Sequence, residues 1–383
     1  MSTVKAELKG IIVLLLLAAI VVFALLAVAG KVDIGIPGLR GPAPAVNKIV
    51  FVSDRGGRTD LWLMNADGTG TARLTDDEYV ESAPMWNHLG TQLFYVSTRP
   101  GAPQVFVIAS DGHGSRQLTI ASGAKLSLST NARGTLTFVA LGRVFVLSGD
   151  RAEPILPTSE QLAQMVGEMT GDIYENPWQY RAAILSPTSG ALAAVLNKTT
   201  RGYYEPQFVP HIGDEPQPIE TEIGDPVIGG DTYVAWDKRG ARIAVAVAQG
   251  PAAGIWITKP SSPVTRPVLS AKNAGVFPSE PDWSPDGRSI AFVGLDKEGA
   301  SAGLFIVMTA PGGSVRPRKI VSGEVRHPRW SPNGTLILYQ LSSGGHTDLW
   351  TIEAAGGSSR NLTAGTDNNT EGEWSPATEQ AGR

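Results

Sequence analysis

WSPDGRSIAFVG, Trp283–Gly294, decides the fold, because the chain spells it again as WSPNGTLILYQ from Trp330 and breaks it off as WSPA from Trp374. The two full copies begin 47 residues apart, a spacing that belongs to a stacked or circular repeat and not to one irregular core. Three marker series count the units. Trp or Leu stands before a turn at positions 86, 128, 185, 236, 283, 330 and 374; a residue pair ending in Trp or Phe recurs at 62, 106, 145, 208, 256, 305 and 350. A short terminal strand ends in Leu-Thr or a relative of it, as in Arg73-Leu74-Thr75 and Asn361-Leu362-Thr363. Each series returns seven members, and each unit reads as four short strands, the plan of a propeller blade.

The predicted fold is therefore all-β, a seven-bladed propeller of four-stranded antiparallel blades over residues 47–376, with six blades as the alternative count. In Ser-Pro-Asp-Gly, proline presets φ and glycine accepts the positive φ of a tight reversal. The tryptophan ahead of it is an apolar wedge between blades. The copy at Trp374 has a first strand and nothing after it, whereas Asn47–Thr75 has the last three strands and no first one. Pairing the two completes a blade, closes the ring and removes exposed sheet edges. With 44 Gly and 27 Pro among 383 residues, the composition is that of a turn-rich β protein.

These units resemble the WD40-like repeat of the TolB-type β-propeller family, most specifically in EPDWSPDGRSIAFVG, HPRWSPNGTLILYQ and IVFVSDRGGRTDLWLMNADGTGTARLT. The resemblance implies a propeller that binds protein partners in the periplasm; in the family's namesake it has six blades and follows a separate α/β domain. Here seven blades are counted, and an apolar segment stands in the place of that domain.

That segment, IIVLLLLAAIVVFALLAVA, Ile11–Ala29, is 19 residues without a charge. As a helix it would reach roughly 28 Å, enough to span a bilayer. Lys5 and Lys9 before it place the N-terminus in the cytoplasm and the rest outside. Ala27-Val28-Ala29 also fits the pattern before a signal-peptide cleavage site, so residues 1–29 are an anchor or a removed leader. The expected location is a bacterial inner membrane, single-pass, with the propeller on the periplasmic side. Residues 30–46 read as a Gly/Pro-rich linker and 377–383 as a tail.

A net charge of −4 argues against nucleic acid as a partner, and the lack of cysteine excludes disulfides and thiolate metal sites. His88, His113, His211, His327 and His346 show no metal spacing, and the reading expects no G-x-S-x-G nucleophile elbow anywhere in the chain. NADGTG and SDGHG are Asp-Gly turns rather than calcium loops. Glu371 and Glu373 could face the channel for acid–base work, although solvated loop charges are the plainer reading. The expectation is of a protein that is not an enzyme and needs no cofactor, a scaffold for envelope or membrane-complex proteins. The alternative is a carbohydrate-active propeller, lyase or glycosidase-like, using its central pocket.

Of nine tryptophans only Trp178 falls outside the repeat series. It lies in the longest insertion, residues 157–181, where Ser159–Met169 reads as a short helix with a Ser N-cap and Gly171 able to end it. A second enlarged loop, residues 199–207, belongs to the same blade and the same face. Together they predict a partner-binding sector of Tyr174, Trp178, Tyr180, Tyr203 and Tyr204 beside Arg181 and Arg201. Burial of Trp178 would instead make the insertion a structural cap.

Overall fold

The computed structural model describes residues 43–376, except 100, 121, 149–150, 169–177, 199–202, 221–229 and 310–315. The strands of these residues form seven four-stranded antiparallel sheets, and six of them take four consecutive strands of the chain. The seventh, blade one, pairs Asn369–Trp374 from the end of the chain with Lys48–Ser53 from its start. Ile49 faces Trp374 across this seam, and Ser375 Oγ accepts the Lys48 amide at 3.0 Å. The ring is closed as the split repeat predicts. Residues 43–46 extend it slightly, with the Ala45 amide donating to Gly90 O at 2.7 Å.

One strand of each blade lies at the axis: Asn369–Trp374, Glu81–Trp86, Leu126–Thr130, Trp178–Leu185, Gly230–Trp236, Phe277–Trp283 and Glu324–Trp330. Each of these inner strands touches the next all the way round. Within a blade, the second strand is the most deeply buried; Ala291, Phe292 and Val293 are fully covered.

The tryptophans sit between blades. Trp283 is completely buried, donates Nε1–H to Ala235 O of the preceding blade at 3.0 Å, and has the Arg242 guanidinium 4.5 Å from its ring centre. Trp236 and Trp374 make the same bond backwards, to Ile184 O at 2.9 Å and Arg329 O at 3.0 Å. Trp330 departs from the pattern: its indole N–H has no partner among the described residues, while its backbone N–H bonds Asp282 Oδ2 at 2.7 Å. In the turn that follows, Ser284 Oγ accepts the Ser289 amide and donates to Asp286, with Gly287 at φ 70°. Asn87, Asn131 and Asp237 accept the corresponding amides with their side-chain oxygens.

Blade three corrects one marker. Thr130, not Leu128, pairs with Leu136 where the other blades pair Trp, or in blade four Leu185, with an aliphatic residue, so the sequence count was right and its register there was two residues off. No helix among the described residues is long and apolar enough to cross a membrane, and Ile11–Ala29 lies outside them.

Candidate functional site: the central channel

The inner strands are not regular. Five of them carry a bulge at a residue with positive φ, namely Ala83 (51°), Ser127 (50°), Glu280 (48°), His327 (53°) and Glu371 (53°). A bulge turns the strand and leaves an amide unpaired within its own sheet. The preceding blade takes up this pairing: Ser127 Oγ accepts from Ala183 N at 3.0 Å, Glu280 Oε2 from His327 N at 2.6 Å, and Glu371 Oε2 from Ala83 N. Two residues later, Ser129 and Asp282 accept amides of Leu185 and Trp330. The bulges therefore line up as a belt of acceptors that joins blades around the axis.

In Ala83-Pro84-Met85-Trp86 and His327-Pro328-Arg329-Trp330 both residues beside the proline line the channel, and in Glu280-Pro281-Asp282-Trp283 Asp282 does. The cavity they enclose measures 580 Å³, and a mouth of 630 Å³ opens on the face of the Ser-Pro-Asp-Gly turns. One side of the wall is mainly apolar, with Pro84, Met85, Leu128, Ile184 and Val234 beside the hydroxyls of Ser127, Ser129 and Thr130; the other carries Lys238, Asp282, His327, Arg329, Glu371 and Glu373. Glu373 Oε1 takes Arg329 Nε at 2.7 Å and His327 Nε2 at 3.0 Å, while Arg329 Nη2 reaches His327 Nδ1 at 3.4 Å. Burial alone would raise the Glu373 carboxyl, but the Arg329 charge, the bond and charge of His327 and the Arg329 bond hold it down at about 2. Lys238 Nζ lies 3.3 Å from Asp282 Oδ1.

Glu371 and Glu373 thus line the channel rather than a solvated loop. The predicted aromatic sector divides. Trp178 and Tyr180 are 4% and 2% exposed and belong to the core of blade four, packed with Val144, Leu156 and Leu196, so neither presents a surface. Tyr180 Oη also bonds Gln161 at 3.0 Å and Gln207 at 2.7 Å. Trp178 opens an inner strand and does not belong to the insertion. Tyr204 is half-buried under Arg181, 4.8 Å from the ring centre, and Tyr203 begins the neighbouring strand Tyr203–Val209. Tyr174, Arg201 and Gly171 lie outside the described residues. The insertion does form a helix, Ser159–Glu168, but its cap is Thr158: Gln161 N donates to Thr158 Oγ1 and Thr158 N to Gln161 Oε1, both at 3.1 Å.

Apart from Glu371 and Glu373, the channel residues escaped the sequence reading because they hide inside the repeat, at the positions where copies differ; comparing those positions would have found them. A G-x-S-x-G spelling does occur, Gly299–Gly303, and the structure places it at an outer strand of blade six. Ser301 Oγ there donates to Val325 O at 3.0 Å and meets no histidine among the described residues. It is a strand tie, not a nucleophile elbow.

The TolB β-propeller domain family matches residues 35–143. TolB from Acinetobacter baumannii superposes with a TM-score of 0.56 at 15% identity, over 86% of this chain and 67% of that one. This ring is a TolB-type β-propeller. The TolB-type repeats also relate it to longer proteins. The uncharacterized peptidase YuxL of Bacillus subtilis is 44% identical over 66 residues, 17% of this chain and 10% of YuxL. Dipeptidyl-peptidase 5 of Porphyromonas gingivalis is 24% identical over 315 residues, 80% of this chain and 44% of that relative. The chain thus spans less than half the length of these two relatives. They correct the expectation of a protein outside enzymology: sequences similar to this one occur in proteins named as peptidases.

Proposed function

We propose that this TolB-type propeller recognises polypeptide chains through its central channel, outside the cytoplasm, with Ile11–Ala29 as its membrane tether. One observation carries the ligand class: the channel wall sets an apolar half against a half bearing both signs of charge. A polypeptide offers that mixture along one strand of chain, and peptidase relatives share the same ligand class. The glycosidase-like alternative needs a carboxylic acid able to give up a proton near neutrality, and Glu373 is held ionised. The uncharged run before the linker supports the tether.

Calorimetric titration of the protein with a pool of blocked decapeptides tests the channel. Saturable binding is expected, and Ala235→Trp, which fills the channel from its wall, is expected to abolish it; binding unchanged in that variant would refute the site. For the tether, full-length protein should sediment with membranes and yield to protease added from outside. Soluble protein beginning at Gly30 would replace the anchor with a cleaved leader.

A further inference from the structure

The channel wall carries two cations and three carboxylates: Lys238 and Arg329 against Asp282, Glu371 and Glu373. Lys238 is engaged with Asp282 and Arg329 with Glu373. Below them, Glu280 has Arg326 at 3.3 Å. Glu371 alone among these carboxylates has no Lys, Arg or His within ion-pair distance among the described residues. Its bond is the one its Oε2 accepts from Ala83 N–H, a neutral donor that leaves the negative charge uncompensated. In a cavity walled by protein, such a charge acts at far lower effective dielectric than on an open surface.

The position of that carboxylate narrows what it would take. Glu371 is tied to Ala83, and the next residues along that strand, Pro84 and Met85, begin the apolar side of the wall. Glu371 therefore stands where the charged half meets the apolar half. A group that satisfies both sides has a cationic end on an aliphatic stem. We propose that Glu371 is a cation-binding subsite of the channel, taking the ammonium or guanidinium of a polypeptide ligand while its stem lies on Pro84 and Met85. The proposal rests on the polypeptide reading above and adds the chemistry of the bound side chain. Lysine, arginine and a chain's own amino terminus share that chemistry.

The test uses the full chain and four pentapeptides, amidated at the C-terminus. Three are acetylated and carry Lys, Arg or norleucine at the centre; the fourth carries norleucine and a free amino terminus. Wild type should bind at least one cationic peptide about tenfold or more tighter than the blocked norleucine peptide, the scale of a hydrogen bond to a charged group. The preferred cationic peptide tells which source the subsite takes. Glu371→Gln keeps an oxygen for the Ala83 amide, so the melting temperature should hold while the preference vanishes; Glu371→Asp should retain part of it. A preference that survives Glu371→Gln, or four peptides bound alike, overturns the subsite and leaves the polypeptide reading standing. If no peptide binds, that reading falls, and butylguanidinium decides the subsite alone: binding to wild type and not to Glu371→Gln upholds it, and no binding to wild type overturns it.

Discussion

Trp283 shows how much one side chain holds at the scale of a residue. Its ring is sealed between blades five and six and its N–H crosses to the older blade, so Trp283→Ala should leave a cavity worth about 3–5 kcal/mol. Chemical denaturation would check this, and a loss under 1 kcal/mol would be inconsistent with the packing. Trp178→Ala should cost a comparable amount, because that ring is core and not contact surface. The repeat made Trp283 legible in the sequence, whereas the burial of Trp178 depends on blade three, which no local pattern announces. Two carboxylates predict opposite pH responses. Glu81 is fully buried at the junction of blades one and two, and burial, with Asp77 and Asp60 nearby, pushes its carboxyl up to about 7 despite bonds from Ser97 and Thr75. Its folded form thus holds a proton that the unfolded chain, near 4.5, releases; stability falls as pH rises from 4.5 to about 7 and then levels. Glu373 is the reverse: its contribution is present above 4.5 and is lost as pH falls toward about 2. Glu81→Gln should flatten the first slope and Glu373→Gln the second, read from melting temperatures across pH. A first slope that persists in Glu81→Gln would assign it to another group.

At the scale of an element, the inner strand does two jobs. Its bulge exposes an amide, the preceding blade's acceptor takes it, and the same distortion sets the flanking side chains along the channel wall. Sequence periodicity announces the strand but not the bulge, since proline after the bulged residue is present in only some copies: Ala83-Pro84, Glu280-Pro281 and His327-Pro328, against Ser127-Leu128 and Glu371-Gly372. For the same reason Leu128 passed for a marker that Thr130 holds. The insertion helix was legible from its apolar spacing; its start was misjudged by one residue because Thr158 and Ser159 are both good caps and only the reciprocal bond with Gln161 separates them. Thr158→Ala should therefore cost about 1 kcal/mol, and Ser159→Ala much less. Equal losses would return the cap to Ser159.

At the scale of the molecule, closure and recognition are linked, because the strand that seals the ring also delivers Glu371 and Glu373 to the channel. Ending the chain after Asn368 removes Asn369–Trp374, opens sheet edges and strips the inter-blade core; stability should drop by several kcal/mol, whereas an unchanged melting temperature would deny the seam. Seven blades and their closure could be read from the repeat alone. The channel could not, because its walls are assembled from one short stretch of every blade and become neighbours only in the ring. The most direct measurement places a photo-crosslinking residue at Met85, on the channel wall, or at Leu141, an exposed position away from that wall, in membrane-expressed full-length protein. Irradiation should join a polypeptide to the Met85 site, and excess blocked decapeptides should suppress the adduct, while Leu141 gives none that they compete. Adducts confined to Leu141, or a Met85 adduct indifferent to competing peptide, would contradict recognition through the channel.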